Sequence, residues 1–289
     1  MHKIGLPAGV VNIIAGPSGE LGQALNASSI PKMITLIGSS ETGRQVMAQG
    51  ATTVKTYSLE LGGNAPCIIM EDGDIDTAVQ LAVTSQVSNS GQTCIGYNRI
   101  YVHESRYQEF CEKAVTLLKK VKLGAGRDPG EVVMGPLINK RERDRVLGLI
   151  EDAKANGAKV LFGGTIPTGF EQGAYLMPTL VADVTEDMRI SREEIFGPVL
   201  SVRAYSEFED VLQKANDTQA GLTSYLYGHD SKAIYHAYEV LQFGELYVNG
   251  FSTGPMLPHT GMRESGIGCD ASQWGLKEYF SLKRLSLKP

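Results

Sequence analysis

The chain of 289 residues has 42% hydrophobic and 20% charged residues and a net charge of -5, which indicates a globular protein with a sizeable core. Its 27 basic residues are scattered along the chain, so a nucleic-acid partner is not expected. The four cysteines (Cys67, Cys94, Cys111 and Cys269) form no C-x-x-C pair and have no histidine at ligand spacing, which predicts neither a disulfide framework nor a metal site.

The N-terminal segment MHKIGLPAGVVNIIAG has a basic start and an apolar stretch, as secretory signals do. However, Pro7, Gly9 and Asn12 interrupt the apolar stretch, and no small-residue cleavage site follows. No apolar run approaches the roughly 20 residues that span a bilayer. We therefore expect no membrane partner and a cytoplasmic location.

The first sixty residues alternate apolar segments with amphipathic ones. We predict strands at residues 10–15, 33–37 and 53–59, and helices at residues 19–26 and 42–49. This order is typical of consecutive β-α-β units, which build a parallel sheet.

The same alternation continues to the C-terminus. Further strands are predicted at residues 67–70, 99–102, 199–205, 222–227 and 245–248. Further helices are predicted at residues 105–121, 140–156, 208–215 and 231–241, and in a segment that Asp74 caps and that runs toward Cys94. Residues 280–287 alternate apolar and polar side chains, as an exposed antiparallel or intersubunit strand does. The sequence therefore predicts an α/β fold with a mostly parallel sheet.

Two glycine-bearing segments carry a possible nucleophile and a possible base. ELGGNAP begins with Glu60, and NSGQTC ends with Cys94, 34 positions later (94 minus 60). A thiol nucleophile and a carboxylate base can form and then hydrolyse a covalent acyl intermediate. Glu60 ends an apolar strand, so we expect it at the edge of the sheet where ligands bind in α/β folds. A solvated turn glutamate is the plain alternative.

Cys94 follows a predicted helix and lies in a polar turn, where backbone amides can stabilise a thiolate. Free cysteines are usually buried small hydrophobic residues, and we expect that role for Cys67, Cys111 and Cys269.

The segment GSSETG, from Gly38 to Gly43, connects a predicted strand to a predicted helix. Backbone amides at such a helix N-terminus can bind a pyrophosphate. By itself the segment is weak support for a nucleotide site, because glycine and serine are ordinary turn and cap residues. REEIFGPVL, from Arg192 to Leu200, would by itself indicate only a charged turn before a buried strand.

Together these four segments resemble the signatures of the aldehyde dehydrogenase superfamily, in the order that the family has them. LPAGVVNIIAG, MGPLIN, YVN and SGIG resemble further family segments, so the resemblance covers essentially the whole chain. It implies an aldehyde dehydrogenase-like α/β fold, in which a partial Rossmann-type domain precedes an α/β catalytic domain. It also implies oxidation of an aldehyde to a carboxylic acid with NAD or NADP, through a thiohemiacetal and a thioester.

The resemblance also assigns roles to single residues. Cys94 is the nucleophile, and Glu60 activates the water that hydrolyses the thioester. Glu194 binds the nicotinamide ribose hydroxyls, a task that suits a carboxylate acceptor, and Phe196 packs against the cofactor. The cofactor-binding residues implied in this way are Gly38, Ser39, Gly43, Leu61, Glu194 and Phe196.

The resemblance is to the C-terminal portion of the family. It implies a remnant of the dinucleotide-binding domain at residues 1–61, a catalytic domain at 62–250, and a tail at 251–289 with an oligomerisation strand, hence a homo-oligomer. The upstream part of the family supplies the first strands of the cofactor domain and an oxyanion-hole asparagine. Because an oxyanion donor contributes about 10²- to 10³-fold in rate, we expect little dinucleotide-dependent activity from this chain alone.

The segment LPHTGMRESGIG is similar to the corresponding part of lactaldehyde and glycolaldehyde dehydrogenases. This implies a small aldehyde substrate, such as a short hydroxyaldehyde, with His259 contacting the substrate hydroxyl. An exposed loop histidine is the alternative. Two other functions stay open at this point: a non-catalytic, subunit-like family member, and a CoA-acylating aldehyde dehydrogenase. The second is disfavoured because Glu60 would direct water to the thioester.

Overall fold

The structure, a computed structural model, describes residues 2–127 and 134–288. In these ranges the α-helices are α1 (Ser18–Ala27), α2 (Ser40–Gly50), α3 (Ile75–Val87), α4 (Glu104–Leu118), α5 (Lys140–Ala155), α6 (Arg189–Arg192), α7 (Phe208–Asn216), α8 (Ser231–Val240) and α9 (Ser272–Glu278). The strands are β1 (Met33–Ile37), β2 (Thr56–Glu60), β3 (Pro66–Ile69), β4 (Arg99–His103), β5 (Lys159–Phe162), β6 (Thr179–Ala182), β7 (Val199–Tyr205), β8 (Ala220–Gly221), β9 (Thr223–Tyr227), β10 (Glu245–Val248), β11 (Met262–Arg263) and β12 (Gly266–Ile267).

Within the described residues the larger sheet has seven strands in the order β10-β9-β3-β4-β7-β6-β5. Every neighbouring pair is parallel except β5 and β6. Alternate residues of β3 enter different cores: Cys67 and Ile69 pack with α3 and α4, and Ile68 packs with α7 and α8. Because helices cover both faces, the strands are apolar on both sides. The predicted α/β fold with a mostly parallel sheet is confirmed.

A smaller sheet of three strands has the order β1-β2-β12. Strands β1 and β2 are parallel, and β12, from the C-terminal part of the chain, runs antiparallel to β2. Helix α2 begins directly after β1, where the side chain of Ser39 accepts a hydrogen bond from the Thr42 N–H at 3.2 Å. The predicted strand, turn, helix and strand of residues 33–60 are therefore confirmed.

The strand predicted at residues 10–15 is wrong. This segment has no regular structure, and its side chains are exposed, with Ile13 90% accessible. A strand needs a hydrogen-bonding neighbour, and none of the described residues pairs with this segment. The helix predicted at 105–121 begins at Glu104, is capped by His103, and ends at Leu118.

Residues 280–287 form no strand in the chain itself, and Leu282 and its apolar neighbours are exposed. An oligomerisation strand there would need a second chain, so it stays a prediction. None of the helices in the described ranges combines the length and the apolar character needed to cross a bilayer.

Candidate active site

Glu60 is the last residue of β2 and lies at the carboxyl edge of the small sheet. It is paired with Ile37 of β1 on one side and with Gly266 of β12 on the other. The Gly38 N–H donates to the Glu60 carbonyl oxygen at 3.0 Å, so the GSSETG turn and Glu60 share this edge. The Glu60 side chain is only 9% exposed. The structure thus presents a largely buried carboxylate where the sequence predicts it.

Cys94 lies in a turn that follows the end of α3. The intervening residues Asn89, Ser90 and Gly91 have φ values of 50°, 57° and 70°, which turn the chain sharply. Tyr225 fixes the turn beyond the cysteine, because its hydroxyl donates to the Ile95 carbonyl oxygen at 2.6 Å. Among the described residues no acceptor takes the Cys94 backbone N–H, which leaves this donor for a ligand.

The ELGG turn touches the cysteine turn at Gly63. A Cβ atom at this position would lie 2.2 Å from the Cys94 carbonyl oxygen, so only glycine permits the observed contact between the two backbones. The two motifs are separate in sequence, and this contact places them side by side.

We expect Gly63→Ala to lower the free energy of unfolding by about 2 kcal/mol, since two backbones would have to separate. The matched control is Gly148→Ala in α5, where an added Cβ meets nothing within 4 Å and where alanine should stabilise the helix. Urea unfolding of the two variants measures the difference. Equal stability of both variants would contradict the contact at Gly63.

A cavity of about 670 Å³ lies between the small sheet and the cysteine turn. Its wall includes Cys94 together with most of the cofactor residues implied by the sequence, namely Gly38, Ser39, Leu61, Glu194 and Phe196. Gly43 is the exception. The glycine at position 43 is required by packing, because a Cβ atom there would lie 2.8 Å from Cδ1 of Leu61. Gly43 therefore lets α2 approach the Leu61 side chain that forms part of the wall.

Glu194 faces this cavity with one carboxylate oxygen engaged. Its Oε1 accepts a hydrogen bond from the Gly63 N–H at 3.1 Å. Burial raises the pKa of Glu194 to about 7, against the opposing effects of the Gly63 N–H and the Arg145 guanidinium. Arg145 of α5 also donates to the carbonyl oxygens of Glu194 and Ile195, at 3.2 and 2.7 Å. No sequence motif marks Arg145, so its role in holding this segment was not predicted.

The raised pKa of Glu194 predicts a pH-dependent cost to stability. An unfolded glutamate ionises near pH 4.5, whereas the folded one ionises near pH 7, so stability falls between these values and the full cost is present above pH 7. Glu194→Gln should therefore raise the free energy of unfolding at pH 8 by on the order of 2 kcal/mol, and much less at pH 5.

Denaturant unfolding at both pH values tests this expectation. Glu142→Gln is the comparison, because hydrogen bonding to Arg145 lowers the pKa of Glu142 and its removal should reduce stability at pH 8. A gain for Glu194→Gln that is equal at pH 5 and pH 8 would contradict the assignment.

His259 connects Glu60 with Glu245. Its Nε2 lies 3.0 Å from Oε2 of Glu60, and its Nδ1 lies 2.7 Å from Oε1 of Glu245. The hydrogen bonds to Cys94, Glu245 and Glu60, in this order, raise the pKa of His259 to about 12. The carboxylate of the predicted pair therefore faces one nitrogen of this imidazole, and Glu245 faces the other.

Glu245 was not identified from the sequence as a site residue. It is the first residue of β10, and its side chain is 11% exposed. A glutamate at the start of an apolar strand is the only signal that could have indicated it. The predicted contact of His259 with a substrate hydroxyl stays a prediction, and in this structure both ring nitrogens already face carboxylates.

Ser265 supports the ELGG turn from the C-terminal part of the chain. Its hydroxyl donates to the Gly62 carbonyl oxygen at 2.7 Å and accepts from the Gly221 N–H at 2.8 Å. Its own carbonyl oxygen accepts from the Leu61 N–H at 2.9 Å. The SGIG segment contains this serine, but its spacing does not predict a contact with the turn.

Among the described residues, no group of three or more His, Cys, Asp or Glu side chains is arranged to hold a metal ion.

Comparison with known proteins places this geometry in a family. The model of the aldehyde dehydrogenase family matches residues 1–285. The chain is 38% identical over 287 residues to the glutarate-semialdehyde dehydrogenase of Pseudomonas putida and 37% identical over 287 residues to the NADP(+) succinate-semialdehyde dehydrogenase GabD of Escherichia coli. In both cases the match covers 99% of this chain and 59% of the relative.

The fold is also similar to a solved structure, the lactaldehyde dehydrogenase from Escherichia coli. The TM-score is 0.91 at 38% sequence identity, with 96% of this chain and 58% of that chain covered. The chain therefore spans about three fifths of the length of the relatives that it matches.

Proposed function

Because the chain belongs to the aldehyde dehydrogenase family, we propose that it oxidises a small aldehyde to a carboxylic acid with NAD or NADP, through a thioester on Cys94. The observation that carries the proposal is the cavity that Cys94 shares with Gly38, Ser39, Leu61 and Glu194. One cavity then serves both the nucleophile and the hydride acceptor.

The residues present fit the nicotinamide end of a dinucleotide. Glu194 keeps Oε2 for ribose hydroxyls while Oε1 is held by Gly63, and the N-terminus of α2 beside Ser39 offers N–H donors to a pyrophosphate. Phe196 is 38% exposed and lines the same cavity, so it offers an apolar surface to a ring. When bound, the dinucleotide supplies the hydride acceptor.

The chain's own residues act on the aldehyde carbon. The Cys94 thiolate attacks the carbonyl, and the Cys94 N–H, which has no acceptor among the described residues, stabilises the oxyanion that forms. After oxidation the acyl group remains on Cys94 as a thioester. Glu60 then accepts a proton from the water that attacks this thioester, which releases the carboxylic acid.

The substrate proposal is a small aldehyde with a second polar group. The relatives described above are named for glutarate semialdehyde, succinate semialdehyde and lactaldehyde, which all have this character. We retain a short hydroxyaldehyde as the example to test first. A cytoplasmic location, a homo-oligomer, and the division into residues 1–61, 62–250 and 251–289 remain part of the proposal.

Intact-mass spectrometry of the purified chain tests the proposal and detects even a single turnover. With lactaldehyde and NAD or NADP, we expect an acyl adduct on Cys94, and we expect none when the dinucleotide is left out, because a thiohemiacetal dissociates on denaturation. The absence of both an adduct and the free carboxylic acid with both dinucleotides would favour a non-catalytic, subunit-like protein. An adduct that transfers to added CoA faster than to water would favour a CoA-acylating enzyme.

A further inference from the structure

A second cavity, of about 230 Å³, borders the cysteine turn. Thr93 lines both this cavity and the larger one that contains Cys94 in its wall, and Ile95 lines the smaller one, so the turn lies between them. We call the smaller one the tail cavity. Its volume is below the range of about 300 to 1,000 Å³ that is typical of sites for drug-sized ligands, so it suits a short group.

The end of α3 gives the tail cavity a wall of hydroxyl groups. Thr84, Ser85 and Ser88 line it, and Leu81 lies one turn earlier on the same face of the helix. The side chains of Ser85 and Ser88 have no hydrogen-bond partner among the described residues. The Thr84 hydroxyl accepts one hydrogen bond, from Nε2 of Gln80 at 3.2 Å. All three hydroxyl groups can therefore donate to a bound ligand.

Aromatic side chains form the rest of the wall. The rings of Tyr97 and Tyr225 pack with their centroids 3.9 Å apart. Both hydroxyls are already engaged, because that of Tyr97 lies 2.8 Å from the Tyr227 hydroxyl and that of Tyr225 donates to the Ile95 carbonyl oxygen. Phe251, which is 45% exposed, adds a third ring. These rings offer carbon surface to a ligand.

The wall of the tail cavity carries no charge. None of the described residues that line it is a lysine, arginine, histidine, aspartate or glutamate. The Tyr225 ring stacks on Tyr247, whose hydroxyl donates to Glu245 at 3.0 Å. Glu245 and Glu60 share the single imidazole of His259, so two carboxylates outweigh one ring there. A carboxylate bound in the tail cavity would lose water without meeting a cation.

We propose that the tail cavity receives the tail of the aldehyde that Cys94 attacks, and that it selects a short, uncharged tail with a hydroxyl group over a tail that ends in a carboxylate. This inference rests on the proposed function of Cys94. It departs from what the names of two relatives suggest, because succinate and glutarate semialdehydes both end in a carboxylate. The serine and threonine hydroxyls bind the polar end of the tail, and the rings pack on its carbon atoms.

Alkylation of Cys94 tests the proposal without an aldehyde or a dinucleotide. Iodoacetamide and iodoacetate transfer groups of nearly the same size to a thiol, but the first reagent is neutral and the second is an anion. At low salt, we expect the full chain to favour iodoacetamide at Cys94 at least about tenfold more than a free cysteine does. Peptide mass spectrometry measures both rates, and a preference equal to that of free cysteine would overturn the proposal.

A cation added to the tail cavity should reverse this effect. Ser88 is exposed and lines the cavity, so Ser88→Arg should raise the iodoacetate rate about fivefold, leave the iodoacetamide rate within about twofold, and lose its gain in high salt. Thr84→Lys, one turn earlier, repeats the test if the first variant does not fold. Thr116→Arg in α4 is the matched control, because Thr116 is also exposed but does not line the tail cavity. If neither variant reacts faster with iodoacetate than Thr116→Arg does, the proposal is wrong.

The aldehydes separate this proposal from the proposed dehydrogenase activity. With a dinucleotide present, we expect lactaldehyde to acylate Cys94 at least about tenfold faster than succinate semialdehyde, and Ser88→Arg to reduce this preference. Faster acylation by succinate semialdehyde in the original chain would refute the selectivity while supporting the dehydrogenase activity. Acylation by neither aldehyde would contradict the dehydrogenase activity, and the alkylation rates would then decide on the tail cavity.

Discussion

Cys94→Ala is expected to remove the acyl adduct and to reduce the aldehyde oxidation of the chain to background, since the loss of a covalent nucleophile costs up to about 10⁶-fold in rate. The physical reason is that no other thiol reaches the cavity. Cys67 of β3 and Cys111 of α4 are buried in the core, and burial raises the pKa of both thiols. Intact-mass spectrometry and the absorbance of the reduced dinucleotide measure the two effects.

The matched control is Cys111→Ala, which removes a thiol from α4 while leaving the cavity unchanged. Cys111→Ala should lower the free energy of unfolding, because a buried thiol is deleted, but the acyl adduct should still form on Cys94. An acyl adduct on the Cys94→Ala variant, or its loss in Cys111→Ala alone, would show that the nucleophile has been assigned wrongly.

Glu60→Gln is expected to let the acyl adduct form and then persist. Glutamine has nearly the same shape and can still contact His259, but it cannot accept the proton of the attacking water, so deacylation should slow by about 10²- to 10⁴-fold. The time course of adduct loss, followed by mass spectrometry after the aldehyde is removed, gives the rate of deacylation directly.

Glu41→Gln in α2 is the control for this change, because Glu41 is an exposed carboxylate in the helix that follows β1. It should leave the deacylation rate unchanged within about twofold. Equal deacylation rates for the Glu60 and Glu41 variants would exclude Glu60 as the base, and they would direct attention to Glu245 as the remaining carboxylate beside His259.

Strand ends, helix caps and turns could be predicted from the sequence, because each depends on a few neighbouring residues. Glu60 ends an apolar strand, Ser39 caps α2, and Cys94 follows a helix with glycine and polar residues, so each could be placed at a strand end or in a turn. The parallel sheet followed from regular alternation of strands and helices, and the structure confirms it. Local chemistry was sufficient here because caps, turns and strand ends depend on a few neighbouring residues.

Contacts between distant segments could not be predicted in the same way. The position of His259 between Glu60 and Glu245 depends on how three loops and strands assemble, and single residues in them carry no periodic signal. The two-residue strand β12 is too short for any alternation. Residues 10–15 have the composition of a strand, but among the described residues no other strand pairs with them. The amino-acid composition of a segment cannot show whether such a pairing partner exists.

The small sheet has a consequence for how the protein is made. Strand β2, which ends in Glu60, gains its second neighbour only when Gly266 and Ile267 pair with it. The ribosome has therefore synthesised most of the chain before the strand that carries this carboxylate can be completed. Because such sequence-distant pairing is slow, the site should mature late, and cleavage after residue 250 should prevent its completion.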